Sequence, residues 1–236
     1  MPPSATEDRG HDAPASNSPA PHRVTPTEAG RRPLGQRPQH GQRGRHGLGW
    51  LLVVGGLVGL VAAVALLVEK IALLKNPDHI PSCDLNPVLS CGSVMITPQA
   101  EAFGIPNPII GIAGFAALVV FGASVLAASG LPRWFWFGAQ VGVTFGVVFV
   151  HWLIYQSLYV IGALCPYCMV VWVVTIAVFW SVTVCNLRPF GGPERGGVAR
   201  LVAVVTEYRG ALLTAWYLVI IGLIAARFWD YWTTLI

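Results

Sequence analysis

Hydrophobic residues gather along this chain into five long blocks, 48–68, 107–129, 134–158, 164–186 and 210–230, with polar stretches between them. A helix that crosses a hydrocarbon core of about 30 Å needs roughly 20 apolar residues. Each block meets that length, and the pattern predicts five transmembrane helices in an all-α integral membrane protein. The third and fourth blocks lie in a stretch from Trp134 to Leu187 that holds no Asp, Glu, Lys or Arg, which is room for two helices and a tight connection.

The polar segments complete the outline. Residues 1–46 are rich in Pro, Ser, Gly, His and Arg and nearly lack large apolar side chains, so they read as a disordered tail. The first apolar run is too extended, and its preceding tail too long, for a cleaved signal peptide, which makes it an uncleaved anchor. Residues 69–106 form the one sizeable loop, 191–209 a linker, and 210–236 a last helix with a short end. Within the loop, 92–103 mixes Val94, Met95, Ile96, Ala100 and Phe103 with polar residues, as a short amphipathic helix lying on the membrane does.

Composition agrees with the block pattern. Hydrophobic residues make up 54% of the chain and charged ones 11%, with a mean hydropathy of +0.61; a soluble domain carries roughly 25% charged residues. The charge distribution orients the spans. With the N-terminus inside, the inner segments hold Arg9, Arg23, Arg31, Arg32, Arg37, Arg43, Arg45, Arg133, Arg188, Arg195, Arg200 and Arg209, and the outer ones only Lys70, Lys75 and Arg227. The positive-inside rule selects that orientation. The arginines before the first span therefore read as a topology signal and not as a nucleic-acid site. Trp50, Trp134, Trp136, Trp229 and Trp232 fall near span ends, where indoles anchor at the interface.

Four of the five cysteines form two pairs on the same, outer face. Cys83 and Cys91 flank an Asn86-Pro87 turn that lets them close a small disulfide loop. Cys165-Pro166-Tyr167-Cys168 is a C-x-x-C at the mouth of the fourth span. Pro suits the first helical position, so Cys165 is the expected cap residue. Two thiols three residues apart share a helical face, and the free amides at that terminus favour a thiolate. A dithiol at a bilayer surface is placed to trade electrons between soluble thiols and a lipid-soluble carrier. Rival readings are a Cys₄ zinc site, for which Cys83 and Cys91 are widely spaced, and a non-catalytic membrane protein whose loop is merely stapled. Cys185 reads as a small buried hydrophobe, and His151 as a neutral imidazole bonded to a neighbouring helix.

The order of these elements resembles vitamin K epoxide reductase and its bacterial homologues. The motifs are Cys83-Asp84 and Cys91 with seven residues between the cysteines, then Thr97, Asn107 and Cys165-x-x-Cys168, and the likeness covers roughly 48–190. In the other quinone-linked family, typified by the partner of DsbA, the C-x-x-C comes first. The resemblance implies a four-helix transmembrane bundle over 47–190 around a quinone (menaquinone or another membrane quinone), with 210–230 as a fifth, accessory helix. It implies that Cys168 is nearest the quinone, with Cys165 as its resolving partner. Cys91 would exchange with Cys165, and Cys83 would take electrons from a thioredoxin-like (DsbA-type) extracytoplasmic protein. Asn107 would donate to a quinone carbonyl, and Thr97 stands where the family has Ser or Thr.

Trp172 departs from the animal enzymes, which place Tyr there. An indole donates from its N–H but lacks phenol chemistry, which fits plain quinone reduction better than epoxide reduction. Some bacterial homologues carry a fused thioredoxin-like domain; none follows the fifth span in this sequence, so the expected partner is a separate protein. The expectation is a disulfide-forming oxidoreductase of a bacterial plasma membrane, binding quinone at Asn107, Thr97 and Trp172 and holding no metal.

Overall fold

The computed structural model describes residues 39–128, 130–188 and 196–233. All of the long elements are helices. Five are long and apolar enough to cross a membrane: α1 (Gln39–Lys75), α3 (Asn107–Ala127), α4 (Arg133–Tyr155), α5 (Pro166–Leu187) and α7 (Arg209–Arg227). Short helices α2 (Cys91–Met95), α6 (Gly196–Glu207) and α8 (Trp229–Thr233) join or follow them. The protein is an all-α, multi-pass membrane protein.

Several boundaries differ from the sequence reading. Helix α1 begins at Gln39, inside the segment read as tail; residues 1–38 of that segment lie outside the described residues. Part of the 191–209 segment is helical rather than linker, because Ala199 and Val202 recur at helical spacing and are buried against the rest of the protein. The expected amphipathic helix over 92–103 is two pieces, α2 and a 3₁₀ turn at Pro98–Glu101. Pro98 divides them: it lacks an N–H and forces Thr97 into an extended conformation (φ −81°, ψ 150°).

Close backbone approach fixes how α1 meets its neighbours. A Cβ on Gly56 would stand 2.8 Å from Val119 Cγ2 and 3.1 Å from the Val119 backbone nitrogen, and one on Gly59 would collide with the Phe115 ring. Across the same contact, a Cβ on Gly122 of α3 would meet Val53 N at 2.9 Å. In lipid, where apolar surface gains nothing by avoiding tails, such small-residue contacts are what hold helices together. Gly55, on the adjoining face, turns toward Val174 and Val178 of α5.

Helix α4 runs on through a π-helical turn, Gln156–Ile161, which Gly162 ends in the left-handed region (φ 72°). The fifth span is attached by polar hooks. Trp216 Nε1 donates to His151 Nε2 at 3.0 Å, Tyr217 Oη donates to the Val173 carbonyl at 2.7 Å, and Arg227 Nε donates to the Leu158 carbonyl at 2.8 Å. His151 Nδ1 lies 2.8 Å from the Val147 carbonyl, which can only accept. The imidazole is therefore the neutral Nδ1–H tautomer, as expected for a helix-bridging histidine.

Candidate active site

The two cysteine arms are joined by backbone before their sulfurs meet. Asn86 Oδ1 accepts from the N–H groups of Val88 (3.0 Å) and Leu89 (2.8 Å), an Asx turn that folds the chain back after Pro87. The returning strand then pairs with the segment ahead of α5: Leu164 N–H donates to the Val88 carbonyl (2.7 Å) and Ser90 N–H to the Leu164 carbonyl (2.9 Å). Next along each arm come Cys91 and Cys165. The Asp84 carboxylate accepts from Gly92 N–H at 2.9 Å, and Ser90 caps α2 through Ser93 N–H, so the start of α2 is pinned from both sides.

Cys83 and Cys91 form a disulfide with Cα atoms 5.7 Å apart. Cys165 Sγ lies 3.0 Å from Cys91 Sγ, and both residues are fully buried. Cys165 is the N-cap of α5 with Pro166 in the first turn, as the sequence predicts. The Cys168 thiol, then the backbone N–H groups of Cys168 and Tyr167, hold the Cys165 thiol below its ordinary value; burial and the Asp84 carboxylate oppose them. The three sulfurs of Cys83, Cys91 and Cys165 lie within 4.8 Å of one another. Two of them are already bonded, so this redox form is an exchange-ready disulfide and not a set of thiolate ligands.

Cys168, whose thiol meets that of Cys165, also lines a cavity of about 730 Å³ between α1, α3, α4 and α5. The lining is overwhelmingly apolar, and its polar members include Asn107, Gln99, Lys70 and Trp172. Trp172 is 3% exposed, and its Nε1–H has no hydrogen-bond partner among the described residues. A buried, unpartnered donor costs about 1–3 kcal/mol. Its place in the wall beside Cys168 fits a ligand that offers an oxygen acceptor and an otherwise flat, apolar body, which is the chemistry of a quinone. Asn107 also lines the cavity, but part of its amide is engaged: Nδ2 donates to the Gln99 carbonyl (2.7 Å) and Oδ1 accepts from Ala102 N–H (3.0 Å). The second proton of Nδ2 is its remaining donor. Thr97 is not part of the wall; its hydroxyl donates to the Val94 carbonyl at 2.7 Å and closes the break between α2 and the 3₁₀ turn.

A family model described as the vitamin K epoxide reductase family matches residues 50–183, more than half of the chain. The chain belongs to that family. No curated protein matches it. Members of the vitamin K epoxide reductase family are oxidoreductases that generally use quinones as electron partners and work with thioredoxin-like proteins. The matched segment spans the whole arrangement just described, from the glycine contacts of α1 to the last turns of α5. As a member, this chain is a membrane redox enzyme with a cysteine disulfide at its site.

Sequence reasoning missed two contributors. Lys70 reads in the sequence only as an outer charge, yet it is buried at the cavity wall. Glu69 holds the entry to Cys83: it accepts from Ser82 Oγ at 2.6 Å and pairs with His79 Nε2 at 2.8 Å. Both residues lie at the end of an apolar block, where hydropathy alone reads any charge as a span terminus.

Proposed function

We propose that this protein is a membrane thiol–disulfide oxidoreductase that carries electrons from a thioredoxin-like extracytoplasmic protein to a membrane quinone, driving disulfide formation in exported proteins. The observation that carries this reading is the single file of sulfurs: Cys83 bonded to Cys91, Cys91 at 3.0 Å from Cys165, and Cys168 in the wall of the apolar cavity. The arginine distribution supports an inner N-terminus in a bacterial plasma membrane, with the cysteines on the outer face.

The partner's dithiol reduces Cys83–Cys91 by exchange at Cys83. With the inner pair oxidised, the Cys91 thiolate attacks Cys165 Sγ and releases Cys168. Cys83 then attacks Cys91, restoring Cys83–Cys91 and freeing Cys165. That end state, outer pair closed and inner pair reduced, is the form seen here. A quinone in the cavity supplies the oxidising power, taking two electrons and two protons as Cys165 and Cys168 close to a disulfide. Trp172 Nε1–H and the second Asn107 Nδ2 proton serve as donors to its oxygens, stabilising the negative charge that develops there. The apolar wall keeps water from the thiols.

The test is quinone reduction by the purified protein with a reduced thioredoxin-like protein as donor, comparing wild type with Cys168→Ala. Turnover confined to the wild type is the expected result. Equal rates in both would remove the electron-transfer reading, and stoichiometric bound zinc would favour the metal alternative.

A further inference from the structure

Lys70 is the one charged residue among the buried side chains described, and the one charged residue in the cavity lining. Burying an ammonium in an apolar wall costs several kcal/mol unless its protons find partners. Two are satisfied: Nζ donates to the Met95 carbonyl at 2.7 Å and pairs with Glu101 Oε1 at 3.1 Å. Met95 packs in one cluster with Cys91 and Cys165, and Cys168 lies against that cluster, so the ammonium is tethered at the cysteine end of the cavity. The side chains of the ion pair differ in exposure, Lys70 at 10% and Glu101 at 44%. One end of the pair thus reaches the cavity and the other reaches water. Among the cavity-lining side chains it alone forms an ion pair leading out of the wall.

We propose that Lys70 is a catalytic proton donor to the bound quinone, recharged from solvent on the Glu101 side; this rests on the electron-transfer reading above. As the Cys165–Cys168 bond forms, the two electrons given up by the dithiol pass to the quinone. One proton comes from the Cys168 thiol and the second from Lys70 Nζ, whose loss is made good by water at Glu101. The proton shed earlier by Cys165 leaves to the aqueous side, so the sum is dithiol plus quinone giving disulfide plus hydroquinone. The ammonium also opposes the negative charge on the quinone oxygen before the proton moves.

The experiment uses the full chain, reduced with dithiothreitol, desalted and mixed with menadione in a single turnover. Lys70→Met is expected to slow quinone reduction roughly a hundredfold, the scale of a lost general acid, with the menadione concentration for half-maximal rate little changed. Lys70→Arg keeps the positive charge but has no proton to give, since a guanidinium does not deprotonate in proteins. It is expected to stay at least roughly tenfold slower than wild type, and full recovery overturns the proton-donor role. Cys91–Cys165 exchange, followed by peptide mapping, is expected to stay at the wild-type rate in both. A Lys70→Met rate within twofold of wild type overturns the proposal, and so does an equal loss of Cys91–Cys165 exchange, which would make Lys70 a structural tie for α2. If Lys70→Met is not recovered folded, Glu101→Gln decides: a fall of at least threefold supports the relay and an unchanged rate overturns it. Absence of menadione reduction by the wild type would instead count against the electron-transfer reading itself.

Discussion

Trp172→Phe separates function from stability in opposite directions. The substitution keeps an aromatic ring on α5 and deletes an N–H that is buried without a partner. Removing an unsatisfied buried donor relieves about 1–3 kcal/mol. The smaller ring gives back on the order of 1 kcal/mol of packing, since Trp172 belongs to the cluster with Val88, Ile154 and Leu164. The ligand-free protein is therefore expected to melt at the same temperature or a few degrees higher. Quinone reduction should move the other way. A hydrogen bond to a neutral carbonyl is worth about 0.5–1.5 kcal/mol, and a donor aimed at developing negative charge is worth more, about 2.7–4 kcal/mol. A tenfold or larger fall in kcat/KM for quinone follows. The assay pairs thermal unfolding in detergent with steady-state quinone reduction, and a control with the thiol donor varied should show no change in its KM. Wild-type kcat/KM in Trp172→Phe would refute the assignment of the indole as a ligand donor, whatever the melting temperature does.

Other expectations follow from the same geometry. Cys83→Ser removes the thiol that resolves the Cys91–Cys165 link, so that crosslink should accumulate once quinone has oxidised the inner pair, visible as a linked peptide pair under non-reducing mass spectrometry; its absence would count against the relay order. The lowered Cys165 value means that its thiolate persists as pH falls below the ordinary thiol range. Iodoacetamide labelling of Cys165 should therefore reach half its plateau below the pH seen for a free thiol. Asp84→Asn, which keeps an acceptor for Gly92 but removes the opposing charge, should shift that midpoint lower still. Gly56→Ala should lower stability by about 1–3 kcal/mol through overpacking against Val119, whereas Gly114→Ala, whose Cβ would meet nothing within 4 Å, should be neutral.

Long-range hydropathy made the spans legible, with helix ends within a few residues of the apolar blocks at Asn107, Arg133, Pro166 and Arg209. Local chemistry made the cap at Cys165 legible as well, because Pro166 and the helix terminus act over a single turn. Other features depend on residues distant in sequence. The pairing of Leu164 with Val88 and Ser90 spans more than seventy positions, and no periodicity announces it. Thr97 stands in a family motif, and what no motif announces is that its hydroxyl bonds the Val94 carbonyl at the helix break before Pro98. Lys70 reads from the sequence only as a charge at a span end, whereas its burial beside Met95 and Glu101 depends on residues 25 or more positions away.

The covering of Cys83 also bears on the economy of the host membrane. That cysteine is 5% exposed, and Ser82 ahead of it is latched to Glu69. A small thiol drifting past reaches that sulfur only slowly. A protein that can displace the Ser82 latch reaches it directly. If electrons run as proposed, that cover insulates the enzyme against leakage: outside reductants drain the quinone pool slowly, and oxidising power leaves the membrane chiefly through a docked partner.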